Sequence, residues 1–400
     1  MELAALLPFA LWAIAITIAI YFGFLAILTI PAVQRQVIYL NCVTLTWFQD
    51  VDYPETWGFL HNQVTPFNLH TKDGETLHAW HILPLEVYRR HEPRLIQEPP
   101  GVVEDVKTRL SFKLLREDPN ALLVLYLHGA AGTLGSGWRP PSYRALYAAA
   151  PDRIHTVAID YRGFGTSTGS PSEEGLLTDA LTLAEWAMNE AGIPSSRIVL
   201  FAQSIGTAVA ISLAHHLAMK PTPTLFAGMV LVAPFANVEL LTATYKVAGV
   251  IPLLSPLARF PRLHALLNKF IVTKWPSKDK LAEFVGQCHK MAGDNPKYHV
   301  TIIHAEDDWD IPWTQSETLY WNAVNASLPM GISYEELDKE KIQNRIDLGA
   351  GGWIMQHQSP KGCLREEIVK YGLHDRIMSY PVVSLAVWRA FETGKPTLES

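Results

Sequence analysis

The chain is 400 residues long, 48% hydrophobic and only 18% charged; that leaves room for one large α/β domain with additions, and a charge content low enough that some apolar surface faces something other than water. A net charge of −6 and a pI near 6.2 provide no basic field for a phosphate backbone, which excludes nucleic acid as a partner. The three cysteines Cys42, Cys288 and Cys363 are too few and too scattered for a disulfide framework or a four-cysteine metal site, and the fifteen histidines form no H-E-x-x-H pattern.

In chain order, the first element is apolar. No charged residue lies between Glu2 and Arg35, and Leu3–Val33 is nearly all hydrophobic. A helix needs about 20 such residues to cross the hydrocarbon core. A cleaved signal peptide would have a basic leader and a shorter apolar core, whereas Glu2 sits in the leader here. Residues 1–35 are therefore read as a retained transmembrane anchor. Arg35 favours a cytosolic body by the positive-inside rule, while the sequon Asn325-Ala326-Ser327 favours the lumen, so orientation stays open on the residues alone.

Residues 36–60 form an aromatic-rich linker, and 61–400 make the body. Thr65–His70 and Thr76–Leu83 alternate around Asp73-Gly74, a hairpin signal. Residues 86–120, charged and carrying Pro99-Pro100-Gly101, read as a surface insertion. From Ala121 onward strands and helices alternate. Ala121–Leu127 is a continuous apolar run of the kind buried in a parallel sheet. It ends in His128-Gly129-Ala130-Ala131-Gly132-Thr133, whose small residues let backbone amides approach a developing negative charge. Ala130 is the expected oxyanion donor there, with His128 and Gly129 lining the substrate.

A helix over Pro141–Ala150 and a strand over Ile154–Ile159 come next. The following loop holds the one literal G-x-S-x-G match, Gly165-Thr166-Ser167-Thr168-Gly169. Ser167 is rejected as a nucleophile. It lies several residues past its strand and the next helix starts only after Pro171, whereas a nucleophile elbow needs strand, sharp turn and helix in direct succession. That helix spans Ser172–Ala191, with Glu173 and Glu174 in its first turn.

The strand Arg197–Ala202, the turn Ala202-Gln203-Ser204-Ile205-Gly206 and the helix Ile205–Met219 meet the requirement. Ser204 is the candidate nucleophile, and the Ile205 N–H, at a helix amino end, is the second oxyanion donor. Gln203 is expected at the substrate. A fourth strand, Leu225–Val232, precedes an apolar, helix-prone excursion over about 236–290, read as a small helical cap. Leu240, Leu241, Tyr245, Val250, Ile251, Leu253, Leu254, Leu257 and Phe270 suit an acyl channel, with Leu254 and Phe270 as its lining. Lys246, Arg259, Arg262, Lys269, Lys274, Lys278 and Lys280 suggest a basic rim.

The strand Tyr298–His304 opens into Ala305-Glu306-Asp307-Asp308-Trp309-Asp310-Ile311-Pro312. Asp308 is the preferred acid, because a D-x-x-[VI]-P turn after a strand is its usual setting; Asp307 and Asp310 are the alternatives. A further insertion covers about 322–363. The last strand, Glu366–Tyr371, leads into Gly372-Leu373-His374-Asp375, which supplies His374 as base. Ser204, Asp308 and His374 then stand in the chain order of a nucleophile–acid–base triad on a doubly wound, mostly parallel sheet.

Taken together, Tyr126-Leu127-His128-Gly129-Ala130-Ala131-Gly132-Thr133, Asp160-Tyr161-Arg162-Gly163-Phe164-Gly165, Gln203-Ser204-Ile205-Gly206-Thr207 and His304-Ala305-Glu306-Asp307-Asp308 resemble the single-pass α/β-hydrolase-domain lipases. The nearest branch acts on lysophosphatidylserine and monoacylglycerols. The likeness runs from about Val37 to Trp388, and includes Tyr53-Pro54-Glu55 and Trp80-His81-Ile82-Leu83-Pro84. It implies an α/β-hydrolase fold and catalysis by Ser204, Asp308 and His374 on a lipid ester, with no metal and no organic cofactor. It also implies a single-pass anchor in the endoplasmic reticulum membrane, with the catalytic body in the lumen. The chain departs from the family at Ala202, where glycine is usual, and in the length of the 322–363 insertion. The same triad also suits a protein thioesterase removing fatty acyl groups from cysteine, and a hydrolase fold can serve as a non-catalytic membrane scaffold.

Overall fold

The computed structural model describes residues 2–245, 254, 257, 259–292 and 298–393. Of the expected cap, Lys246, Val250, Ile251 and Leu253 lie outside the described residues.

The body is built on one ten-stranded sheet in the order β1-β2-β4-β3-β5-β6-β7-β10-β9-β8. Its strands are β1 (Val64–His70), β2 (Thr76–Ile82), β3 (Leu122–Leu127), β4 (Ile154–Ile159), β5 (Ile198–Gln203), β6 (Gly228–Val232), β7 (Tyr298–Ala305), β8 (Ile346–Asp347), β9 (Trp353–Ser359) and β10 (Gly362–Val369). The six strands from β4 through β10 in that order run parallel, while the edges are antiparallel: β1 and β2 on one side, β8 and β9 on the other. The hairpin read around Asp73-Gly74 pairs Val64 with Ile82 and His70 with Thr76.

Strand alternation splits the core in two. Leu123, Leu125, Leu127, Leu200 and Ala202 face the helices Glu173–Glu185, Ile205–Ala218, Ser277–Lys290 and Thr314–Ser327. Val124, Tyr126, Val199 and Phe201 face the helices Arg139–Ala148 and Pro381–Thr393. Both faces of the central strands are covered, which is why they read as unbroken apolar runs.

Four expectations need correcting. Residues 86–120 are not a loose surface insertion: the helices Leu85–Leu95 and Leu110–Glu117 bury Val87, Tyr88, Leu95 and Leu110 against Leu83. The cap is narrower than 236–290, because Ser277–Lys290 packs against Ile205–Ala218 and Thr314–Ser327 as a flanking helix of the sheet. The insertion 322–363 is partly sheet, supplying β8 and β9, and a buried ion pair 2.5 Å long between Lys341 and Glu366 ties its helix Tyr334–Asn344 to β10. Finally, residues 36–60 are no free linker. Tyr39 is buried in the main core, and Val51 and Phe59 in the second.

The N-terminal helix Glu2–Ile27 stands outside this body, and Pro8–Ile27 is long and apolar enough to cross a membrane. The sequon asparagine, Asn325, lies inside the helix Thr314–Ser327, and its side-chain oxygen accepts the Ile332 N–H at 2.7 Å. Such a half-buried, engaged amide is a poor glycan acceptor, which removes the one residue-level hint toward the lumen.

Candidate active site

Ser204 occupies the single residue between β5 and the helix Ile205–Ala218, with φ 54° and ψ −123°. Positive φ costs a non-glycine residue about 1–3 kcal/mol and persists only where the surroundings enforce it. Here the Ser204 N–H donates to the Val232 carbonyl at 3.0 Å, and the Thr207 hydroxyl donates to the Ser204 carbonyl at 2.6 Å. Gly206 is required on steric grounds: a Cβ there would collide with the carbonyls of Leu127 and His128. Ala202 is fully buried, so a methyl group is accommodated where glycine is usual.

The loop after β3 lies alongside. A Cβ on Gly129 would strike the Gln203 amide and press on the Ser204 Cβ, so main chain packs directly against the serine. The buried Arg139 draws the loop's carbonyls together, its guanidinium donating to Gly129, Ala130, Ala131 and Thr133 oxygens at 2.9, 3.3, 2.7 and 2.6 Å. The Ala131 and Gly132 N–H groups donate to the carbonyls of Tyr39 and Val43 at 2.9 and 2.6 Å. The N–H groups of Ala130 and Ile205, the two expected oxyanion donors, have no acceptor among the described residues.

Beyond β7 and β10 the acid and base meet. His374 Nδ1 lies 2.8 Å from Asp308 Oδ2. The other carboxylate oxygen, Oδ1, accepts the N–H groups of Asp310 and Ile311, both at 2.9 Å. A second imidazole shares Oδ2: His304 Nε2 is 3.0 Å from it, while His304 Nδ1 is 2.6 Å from the Ser316 hydroxyl. Burial works to raise the Asp308 pKa, but the charge of His374 and hydrogen bonds from both imidazoles outweigh it and hold the carboxyl well below the usual carboxylate range. Burial likewise pushes His374 down, yet Asp308, with Asp375 and Asp310 further off, raises it to about 9.

Of the two alternative acids, Asp307 has another task. Its Oδ1 accepts the N–H groups of Gly372 and Leu373, both at 2.8 Å, which fixes the loop before His374, including Leu373 at φ 51°. Asp310 contributes its backbone N–H to Asp308 and makes no direct hydrogen bond to His374 among the described residues. Side-chain ligand atoms of Asp308, Asp310 and His374 lie within 4.8 Å of one another, a spacing a cation could use. However, both Asp308 oxygens and His374 Nδ1 are already engaged in hydrogen bonds, an arrangement that suits orienting an imidazole better than ligating a metal.

The expected substrate contacts fare differently. His128 is fully buried, Nδ1 at 2.7 Å from the Gly129 carbonyl oxygen and Nε2 facing Asp160 at 3.3 Å. Gln203 is buried and donates to the His374 carbonyl and to Asp375 at 3.2 and 3.0 Å. Both brace the site and offer little to a ligand. Leu254 packs on the anchor end of the cap with Leu25, Leu257 and Leu267, and Phe270 is half exposed. Among the described cap residues, Tyr245 lies close enough to the Asp308–His374 pair to feel its charges. Burial raises its phenol pKa, and the negative charges of Asp310, Asp308 and Asp375 add to the effect. The basic rim shrinks too, since Lys278 pairs with Asp279 and Lys280 bonds Ser212. Ser167 is a structural residue, its hydroxyl donating to the Asp160 carbonyl at 2.7 Å and accepting the His78 N–H at 2.9 Å.

Sheet order and sequence agree on the class: the chain belongs to the alpha/beta hydrolase family, whose profile matches residues 124–332. Within it the chain is similar to the lysophosphatidylserine lipase ABHD12 of Danio rerio, 28% identical over 314 residues covering 78% of this chain and 70% of that protein. It is also similar to protein ABHD12B of Homo sapiens, 30% identical over 294 residues covering 73% and 70%. Among solved structures, an alpha-beta hydrolase from Vibrio vulnificus superimposes with a TM-score of 0.52 at 14% identity, covering 90% of this chain and 92% of that one. At that identity the likeness speaks for the fold.

Proposed function

We propose that the chain is a membrane-anchored serine hydrolase that cleaves acyl esters of lipids, monoacylglycerol or a lysophospholipid, through an acyl-enzyme on Ser204. The observation that carries this reading is the conjunction of a strained serine, two main-chain N–H groups beside it without acceptors among the described residues, and an imidazole held by a buried carboxylate beyond the same strand ends. The lipase relatives support the lipid substrate, and the apolar helix Pro8–Ile27 supports the anchor.

In the proposed mechanism the Nδ1–H of His374 donates to Asp308, which leaves Nε2 to take the Ser204 proton as Oγ attacks the ester carbonyl. Negative charge developing on the carbonyl oxygen is met by the N–H groups of Ile205 and Ala130, and Asp308 stabilises the imidazolium. His374 returns the proton to the departing alcohol. A water, deprotonated by the same nitrogen, then releases the fatty acid. By the likeness to single-pass lipases, the body works on the lumenal side of the endoplasmic reticulum membrane.

The test is hydrolysis of a panel of monoacylglycerols, lysophospholipids and acyl-cysteine peptides by the purified protein beside its Ser204→Ala variant. The expected result is fatty acid release from the glycerolipids by the native chain, falling by about 10⁴-fold or more in the variant. Preferential cleavage of the acyl-cysteine peptides would overturn the lipid assignment, and equal turnover by the variant would overturn the nucleophile.

A further inference from the structure

Tyr21, Phe24 and Leu25 belong to the last turns of the apolar helix, within the stretch Pro8–Ile27. Leu25 is buried against the cap residues Leu257 and Leu267, and Tyr21, Phe24 and Leu254 close around them. A polar clasp reinforces this packing. The Gln34 amide donates to the carbonyls of Leu28 and Phe270 at 2.9 and 2.8 Å, and its oxygen accepts the Val272 N–H at 3.0 Å. Residues that touch a segment lying in hydrocarbon must stand at nearly the same depth, so the cap is held at the membrane surface by the anchor's own end.

The cap helix Pro261–Phe270 is amphipathic in an unusual sense. It buries Leu267 and Asn268 toward the protein, yet turns a second apolar strip outward: Leu263, Leu266 and Phe270 are 41%, 51% and 51% exposed. Exposed Arg262 and Lys269 border that strip. An apolar outer face with flanking cations is the composition of a helix lying in a bilayer interface, where long basic side chains reach back to the phosphates.

We infer that the cap helix Pro261–Phe270 docks into the bilayer leaflet at which the anchor ends, seated at the boundary of head groups and acyl chains, so that lipid reaches Ser204 from the membrane rather than from water. The inference rests on reading Pro8–Ile27 as a membrane anchor. The bilayer is favoured over a second copy of the chain because the buried side of this cap, Leu257 and Leu267, packs on Leu25 at the end of the apolar helix, which sets the exposed strip beside the membrane, and because the flanking Arg262 and Lys269 match anionic head groups.

The test uses the full chain in phosphatidylcholine–phosphatidylserine vesicles, with the exposed Cys42 changed to serine and an environment-sensitive fluorophore placed at Leu263→Cys, Leu266→Cys or Asn120→Cys. Asn120 is exposed at the amino end of β3, the opposite side of the sheet from the cap. Nitroxide-labelled lipids should quench the probes at 263 and 266 several-fold more than the probe at 120. In parallel, the double variant Leu263→Glu/Leu266→Glu should lose about tenfold in hydrolysis of vesicle-borne monoacylglycerol while keeping its rate on a short soluble ester. Vesicle flotation separates the two ways of failing. Protein that floats with the vesicles but shows no preferential quenching at 263 and 266 overturns the docking and leaves the anchor standing. Protein that does not float overturns the anchor and the docking together. Cross-linking of two copies through position 266, without lipid quenching, would assign the strip to a chain–chain interface and also overturn the inference.

Discussion

Three carboxylates, Asp308, Asp375 and Asp310, bear on His374, and the consequence is a base with unusual pH behaviour. In the proposed mechanism His374 must be neutral to accept the Ser204 proton, and the surrounding carboxylates raise its pKa to about 9. Below that pH most of the resting enzyme holds an imidazolium, so kcat/KM on a soluble ester should climb about tenfold per pH unit toward a plateau above pH 9. Asp375 is one of the charges responsible, and as an acceptor from Gln203 it can be replaced isosterically. Asp375→Asn should therefore move the acidic limb to lower pH and leave the plateau rate nearly unchanged. A limb centred near 6.5, or one that does not move in the variant, would contradict this electrostatic account. Choosing Asp308 from four clustered carboxylates required knowing which of them meets the imidazole, and sequence spacing could rank them but not orient them. The sequence does not single out His304 and offers Asp307 only as an alternative acid for a related reason: their partners, Ser316 and the Gly372 and Leu373 amides, come from other segments. The signal that was available was His304 itself, four residues before Asp308 at the end of an apolar strand.

The elements that surround the site were legible to different degrees. The central strands were readable because burial on both faces leaves no polar alternation, and Ile154–Ile159 falls where the apolar run predicts. Strand β9, next to the edge, was not, since its exposed face carries Gln356 and Gln358 and the strand follows a glycine-rich turn. The segment after the N-terminal helix reads as a linker because, beyond the few side chains it buries, its contribution to the site is made by main-chain carbonyls, which leave no trace in side-chain pattern. Tyr39 and Val43 accept the Ala131 and Gly132 N–H groups, and the Thr44 carbonyl accepts the Ser136 hydroxyl at 2.8 Å. This segment holds the proposed oxyanion loop from outside, as Arg139 holds it from within. Removing residues 2–30 should therefore leave hydrolysis of a soluble ester within a few-fold of native, whereas removing residues 2–47 should lower kcat by about 10²-fold, the usual cost of misplacing one oxyanion donor. Equal activity of the two truncations, measured in detergent, would show that the brace has no catalytic role.

Across the described residues, the end of the N-terminal apolar helix, the cap and the proposed acid–base pair gather at the carboxyl ends of the parallel strands, where ligands bind in sheets of this kind. The buried Lys341–Glu366 pair and the flanking helix Ser277–Lys290 belong instead to the scaffold, so the insertions that enlarge this chain thicken its frame more than its site. The central claim is that one hydroxyl, Ser204, becomes the acyl carrier. Reaction of the full chain with a fluorophosphonate followed by mass-spectrometric mapping tests it most directly. A single adduct on Ser204, absent after His374→Ala and accompanied by an unmodified Ser167, is the expected result; an adduct on another serine, or none on active protein, would contradict the account.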